Sequence, residues 1–342
     1  MLPGERVEVE GAELVQVLEA SAHRATPGCV HFGVCGGCQY QHAGYAEQLR
    51  LKSGILRDVF AAAGLEGLPE ATVHAAEPWG YRNRIRLRVR QENGRIQVGY
   101  SRRGTNEFLA ICMCPIAAPI LWRAAEALLR IGSGPGERWL PAVSEVEVFT
   151  TGDETRVQMQ FLLRDATVAG EAGQSFAGFC GRLKQEIPEL AGASAALDPE
   201  LTRRVRRSWD GAVWGADGLG YEAAGRTYWV SRGAFFQVNR FLVDRLVELV
   251  TGGPSGELAW DLYAGVGLFA RPLTERFDRV VAVEGGEAAA RSLSAGRPGP
   301  GRPGKGGTLQ PVRSGIVEFL RVGVLQRERP GLVVLDLSLI HI

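Results

Sequence analysis

The sequence predicts an α/β protein: a doubly wound, mostly parallel sheet in its last third, preceded by a β-rich central region. Three observations carry that reading. From about residue 217 short apolar runs alternate with amphipathic segments, the order that builds strand–helix–strand units. The loop Asp261-Leu-Tyr-Ala-Gly265-Val-Gly267-Leu-Phe-Ala270 joins one apolar run to the next helical segment, as at the carboxyl end of a parallel sheet. Between about 79 and 210 apolar residues recur with period two instead, the signature of half-buried strands.

In order along the chain, Glu5–Glu10 and Glu13–Glu19 read as short strands, and Cys29–Cys38 as a tight loop. Residues 44–64 place Tyr45, Leu49, Leu56, Val59 and Phe60 near one helical face, and Gly64 ends that helix. Tyr81–Arg90, Val143–Phe149 and Arg156–Phe161 alternate as strands. Helices are expected over 116–131 and 173–187, the second burying Cys180 as an inert thiol. Then come a helix at Phe241–Val250, a strand at Leu258–Tyr263 and a helix at Leu268–Phe277. A strand at Val280–Val283, a helix from Ala288, a helical Ile316–Val322 and a strand at Leu332–Asp336 complete the pattern. Residues 297–308, all Gly, Pro and polar side chains, have no face to pack and read as a mobile loop.

At 342 residues, 45% hydrophobic and 23% charged, the chain suits two or three soluble domains. No apolar run reaches the roughly 18 residues of a membrane span, and the N-terminus lacks a secretory pattern. A cytoplasmic monomer is expected. The net charge of +1 argues neither for nor against nucleic acid, so local clustering must decide. Six cysteines without an export signal favour metal or redox chemistry over disulfides.

Cys29-x5-Cys35-Gly-Gly-Cys38 sets three thiols in one loop, and the glycines allow the tight turn that turns sulfurs inward. Cys114 is the first candidate for a fourth ligand and Cys112 the second. An iron–sulfur cluster, a zinc ion and unliganded thiols all remain open on spacing alone. Tyr81-Arg-Asn-Arg-Ile-Arg-Leu-Arg-Val-Arg90 puts Arg82, Arg84, Arg86, Arg88 and Arg90 on one face of a strand. Such a row can track a phosphate backbone, or pair with Glu145 and Glu147 on a neighbouring strand; the two readings weigh evenly. The glycine loop with Glu284 after the next strand matches an NAD-type dinucleotide fingerprint. Against that, the polar strand end, Asp261 and Tyr263, suits a zwitterionic amino-acid tail better than a pyrophosphate, and a plain unliganded turn is the third reading.

These pieces occur together in one family. The opening Leu-Pro-Gly-Glu-Arg-Val-Glu-Val-Glu resembles the last part of a TRAM-type β-barrel, and Cys29–Cys38 with Gln39-Tyr40-Gln41-His42, Gln48 and Lys52 resembles a CGGC…QH…Q…K block. Tyr81-Arg-Asn-Arg84, Cys114-Pro-Ile-Ala-Ala-Pro119, Ser231–Asn239 (SRGAFFQVN) and Asp261–Phe269 match further motifs of the bacterial iron–sulfur RNA uracil-C5 methyltransferases. The resemblance implies an incomplete Rossmann-like class I methyltransferase domain over 216–336. Before it would come a TRAM remnant (1–28), an iron–sulfur loop and helix (29–75) and a β-rich RNA-binding region (76–215). It implies a 4Fe–4S cluster on Cys29, Cys35, Cys38 and Cys114, and S-adenosylmethionine bound by Gln237, Tyr263, Gly265, Gly267, Glu284 and Asp336. Arg82, Arg84 and Arg86 would contact RNA, with 23S rRNA favoured over transfer RNA. A non-catalytic RNA-binding protein is the alternative from another class.

Two departures stand out. Leu268 occupies a position where the family often has Asn. After Asp336 the chain reads Leu-Ser-Leu-Ile-His-Ile instead of continuing into the family's Asp-Pro-Pro-Arg, and no cysteine follows Cys180. The nucleophilic cysteine and base glutamate of the family are thus expected beyond this point, residues 337–342 read as a foreign tail, and the chain as written is expected to be inactive.

Overall fold

The computed structural model describes residues 1–11, 13–65, 67–132, 139–198, 211–295, 306–322 and 328–336. The chain folds into two compact units, Met1–Trp79 with Val98–Ile116, and Gly80–Gln97 with Ala117–Ile342.

The first unit opens with β1 (Arg6–Glu10) and β2 (Glu13–Glu19), paired antiparallel around Gly11, whose φ of +61° suits a tight reversal. Glu5 accepts hydrogen bonds from the Arg24 guanidinium and from the Leu2 and Ser21 amides, tying the hairpin to the segment before the cysteine loop. Helix α1 (Tyr45–Ala62) follows. Of the face read from the sequence, Tyr45, Leu49 and Phe60 are half-buried, while Leu56 and Val59 stay exposed. The chain runs through β3 (Arg84–Glu92) in the second unit and back along β4 (Arg95–Ser101), whose end pairs antiparallel with β5 (Phe108–Ala110) in the first.

In the second unit the chain continues through α2 (Pro119–Gly132), β6 (Val143–Thr150), β7 (Val157–Leu163), α3 (Ala169–Glu186), β8 (Leu190–Leu197) and β9 (Ala212–Gly215). The strands lie in the order β3-β6-β7-β8-β9, antiparallel except β7 and β8, which α3 connects as a crossover. Trp139, Phe161, Phe176 and Phe179 interlock edge-to-face beneath this sheet, with Cys180 buried beside them on α3.

A hairpin of β10 (Gly218–Ala223) and β11 (Arg226–Ser231) leads into α4 (Val243–Thr251) and the doubly wound part. There β12 (Gly256–Leu262), α5 (Ala270–Leu273), β13 (Phe277–Glu284), α6 (Glu287–Ala295), β14 (Thr308–Arg313), α7 (Ile316–Arg321) and β15 (Leu332–Leu335) alternate. The four strands are parallel in the order β14-β13-β12-β15. One face packs Ala259, Val280 and Ala282 against the hairpin, α4 and α6; the other packs Trp260 and Val281 against Ile316 and Phe319. Both faces of the central strands β12 and β13 are covered, which is why Val280–Val283 reads as an unbroken apolar run.

Two expectations need correction. The helix expected over Leu268–Phe277 is a single turn, Ala270–Leu273. Pro272 has no amide proton and fits only a first turn, so the helix cannot begin much earlier, and Phe277 is already the first residue of β13. Strand β14 is not named in the sequence analysis, where the expected mobile loop overlaps its start; among the described residues it pairs on one side only, with β13, which tolerates Pro311. Most of that loop, 296–305, lies outside the described residues, as does the tail 337–342. No described helix is long and apolar enough to cross a membrane.

Candidate functional site

The parallel strands β12, β13 and β15 end together, which brings Tyr263, Glu284 and Asp336 to one edge of the sheet. The chain winds outward from β12 to β13 and later returns to β15 on its other side, and crevices open at such switch points. Tyr263 takes a φ of +67° and remains 43% exposed, an unfavourable conformation for a side chain of this size and a frequent mark of functional loops. Gly265, at φ +57°, donates its amide proton to Glu284 Oε2 at 2.8 Å, and the Gly286 amide donates to Oε1. Glu284 thereby fastens the glycine loop to the end of β13, and each carboxylate oxygen keeps a lone pair for a further donor. Gly267, at φ +86°, has no room for a side chain: a Cβ there would lie 2.8 Å from Leu293 Cδ1.

Across the strand end, the Gln237 amide donates to Asp336 Oδ2 at 2.8 Å. Asp261 is fully buried and its carboxyl oxygens lack a partner of good hydrogen-bond geometry. Burial raises its pKa to about 7; the nearby Ala270 amide opposes this only in part, and the charges of Asp336 and Glu284 add to the rise. Asp261 thus lies inside the sheet rather than at its accessible end, as the sequence had suggested. Three carboxyl groups close enough to influence one another favour a positively charged ligand and repel a pyrophosphate, which weighs against the dinucleotide reading.

Asn83 belongs to this site, and sequence reasoning missed its part in it. It is fully buried; its side-chain amide donates to the Gln237 carbonyl at 2.8 Å and to the Tyr221 hydroxyl at 3.2 Å. Its backbone amide donates to the Val238 carbonyl, and the Arg240 amide to the Tyr81 carbonyl, both at 2.9 Å. The segment Tyr81–Asn83 therefore clamps residues 237–240 and sets where Gln237 points. The available signal was an asparagine within an otherwise strand-forming run, a residue type strands disfavour.

The arginine row lies on β3 as its alternation requires, with Ile85, Leu87 and Val89 buried on the other face. Arg86 stands opposite Glu147 and Arg88 opposite Glu145. Arg84 Nη1 lies 2.9 Å from Glu147 Oε1 and its guanidinium packs 4.4 Å from the Phe149 ring centroid. Arg86 reaches Glu147 at 3.3 Å and Glu145 at 3.7 Å. The cross-strand pairing reading thus holds for both. The side chain of Arg86 stays 56% exposed, that of Arg84 only 14%, so little of the Arg84 guanidinium is left for a phosphate. Arg82 bridges Ala117 and Asn239 through its backbone.

In the first unit the cysteine loop is built from short backbone turns: the Phe32 amide donates to the Cys29 carbonyl and the Cys35 amide to the His31 carbonyl. The Gly37 amide donates to Cys35 Sγ at 3.4 Å, and the Tyr100 hydroxyl donates to Cys114 Sγ at 3.8 Å. The Cys112 amide donates to His31 Nε2 at 3.0 Å, and Cys112 Sγ lies 3.3 Å from the same nitrogen. None of the six cysteines forms a disulfide. Among the described residues no three His, Cys, Asp or Glu side chains converge closely enough to hold a metal ion.

No family model matches the chain. It is 30% identical over 315 residues to the 23S rRNA (uracil(1939)-C(5))-methyltransferase RlmD of Azoarcus sp., covering 86% of this chain and 69% of that protein. The chain belongs to the RNA uracil-C5 methyltransferase family. A second member, RlmD of Alkalilimnicola ehrlichii, is 32% identical over 307 residues, 84% of this chain and 65% of the relative. The chain spans less than two thirds of the length of several relatives, 63% for that of Cronobacter sakazakii. The fold agrees with that of the Pyrococcus abyssi tRNA (uracil-54, C5)-methyltransferase, solved with S-adenosyl-L-homocysteine. The TM-score is 0.65 at 19% identity, over 91% of this chain and 73% of that one.

Proposed function

We propose that the chain carries the methyl-donor site of an enzyme that transfers the methyl group of S-adenosylmethionine to C5 of a uridine in RNA, with 23S rRNA the substrate suggested by the relatives' names. The observation that carries this is the carboxylate-rich end of the parallel sheet, closed by a glycine loop. The donor is a cation at its sulfonium and its ammonium; Glu284 and Asp336 supply a matching negative field, to which Asp261 adds when it ionises. Glu284 would accept the ribose hydroxyls, Gly265 and Gly267 let the backbone approach, and Gln237, Tyr263 and Asp336 would hold the amino-acid tail. The family's chemistry adds a thiolate to uracil C6, which makes C5 nucleophilic; no cysteine of this sequence is assigned that role. Arg82 and the half-exposed Arg86 would meet RNA phosphates, while Arg84 would order the row through Glu147.

Calorimetric titration of the full chain with S-adenosylhomocysteine should show binding, and Glu284→Ala should weaken it at least about tenfold, or about 1.4 kcal/mol. Equal affinity of the variant, or preferential uptake of NAD, would overturn the assignment.

The same reading puts a 4Fe–4S cluster on Cys29, Cys35, Cys38 and Cys114. The residues suit it in two respects. The Gly37 amide already donates to Cys35 Sγ, as it would to a thiolate ligand. The Tyr100 hydroxyl likewise donates to Sγ of Cys114, the fourth ligand the motif implies, while Cys112 lies against His31. The cluster would supply structural order to the loop. Anaerobic purification should yield about four irons per chain with matching sulfide, lost in Cys38→Ser. Stoichiometric zinc without iron would refute it.

A further inference from the structure

The first unit carries a recess of its own, formed by the turn after β4 and the cysteine loop. Its volume is about 520 Å³, within the roughly 300–1,000 Å³ of typical ligand recesses. The turn is tightly built: the Thr105 amide donates to the Arg102 carbonyl at 3.1 Å, Gly104 takes a φ of +70°, and the Glu107 amide donates to Thr105 Oγ1 at 3.1 Å. It is stitched to the cysteine loop backbone to backbone. The Gly36 amide donates to the Ser101 carbonyl at 3.1 Å and the Arg103 amide to the Val34 carbonyl at 2.9 Å, around a bridge between Cys35 and Arg102. Gly36 suits this approach, since a Cβ there would sit a tight 3.3 Å from the Ser101 oxygen. The cysteine loop therefore forms one wall of the recess.

The other walls carry Tyr100, Ser101, Arg102, Thr105 and Asn106, and no carboxylate lines the recess. Arg102 is 48% exposed at its side chain and pairs only loosely with Glu107, 3.8 Å from Nε, which leaves most of its five donors for another acceptor. A phenol ring, a guanidinium, a carboxamide and hydroxyls beside glycine backbone match the needs of a nucleotide: a face to stack on, a cation for phosphate and an amide for a base edge. A simple anion would use the arginine alone.

The geometry points to this recess as a docking site for one nucleotide of a single-stranded RNA segment, with its phosphate on Arg102 and its base between Tyr100 and Asn106. This rests on the reading of the chain as part of an RNA-modifying enzyme. It also gives the cysteine loop a specific task, holding one wall of an RNA contact.

The test uses the full chain and a fluorescein-labelled, single-stranded RNA of about twelve nucleotides containing 5-iodouridine. Arg102→Ala should lower affinity five- to thirtyfold and reduce the slope of log affinity against log salt by about 0.7, the value for one phosphate on a single strand. Asn106→Ala should lower affinity less and leave the slope unchanged. Ultraviolet cross-links on the wild type should map to the peptide containing Tyr100. Binding of S-adenosylhomocysteine by both variants should match the wild type, which shows that they are folded. Wild-type RNA affinity and salt slope in Arg102→Ala, with cross-links elsewhere, would overturn the recess alone. A wild-type chain that binds no RNA would overturn the RNA-enzyme reading and the recess with it.

Discussion

Replacing Asp261 with asparagine should remove a loss of stability that the wild-type chain suffers as pH rises from about 4 to about 7. The Asp261 carboxyl is fully buried beside Glu284 and Asp336, and its pKa is raised from 3.8 to about 7. Between these values the folded chain keeps a proton that the unfolded chain has released, so stability falls with rising pH across this window and is lowest above it. Three pKa units correspond to roughly 4 kcal/mol, an upper figure because local opening can relieve the strain. Asp261→Asn carries no charge at any pH. Its unfolding free energy should exceed the wild-type value by up to that amount at pH 8 and should not exceed it below pH 4. Parallel stability curves for the two proteins between pH 4 and 8 would show that the carboxyl is solvated. A cationic donor favours the ionised form, so binding near pH 7 should also release protons, detectable as a buffer-dependent calorimetric heat.

Replacing Glu147 with alanine should cost about 3–5 kcal/mol, the penalty for leaving a buried charge without its partner. Arg84 is the charge in question. Its side chain is 14% exposed, Glu147 is 2.9 Å away, and burial pulls its pKa down while Glu147 opposes that pull. Arg86 also loses its 3.3 Å contact, but it is more than half exposed and contributes little. Joint replacement by Arg84→Met and Glu147→Leu should recover most of the loss, because a packed apolar pair of similar volume need not be worse than a buried ion pair. Denaturant unfolding of the three variants checks this. A cost below about 1 kcal/mol for Glu147→Ala would mean that Arg84 can swing into solvent, and would return it to the RNA-facing row.

The alternation in residues 84–90 was enough to place Ile85, Leu87 and Val89 inside and the arginines on the other face, since successive strand residues point to opposite sides whatever surrounds them. The glycine loop was legible for a similar reason. Positive φ and close backbone approach are demands that glycine meets locally, and Gly265 and Gly267 are where the structure makes them. What the sequence left open depended on partners distant along the chain. Whether an arginine met a phosphate or a glutamate turned on the register of β3 against β6. Which group lies beside Cys112 turned on His31, 81 residues earlier. The place of Asn83 turned on Gln237, 154 residues later, and the burial of Asp261 on the elements that close over both faces of its sheet. Strand β14, not named in the sequence analysis, accommodates Pro311 because among the described residues it pairs on one side only. Backbone geometry makes side-chain direction a local property, readable residue by residue. Which group a side chain meets is decided by register and packing between segments far apart in sequence, and only the tertiary structure determines those.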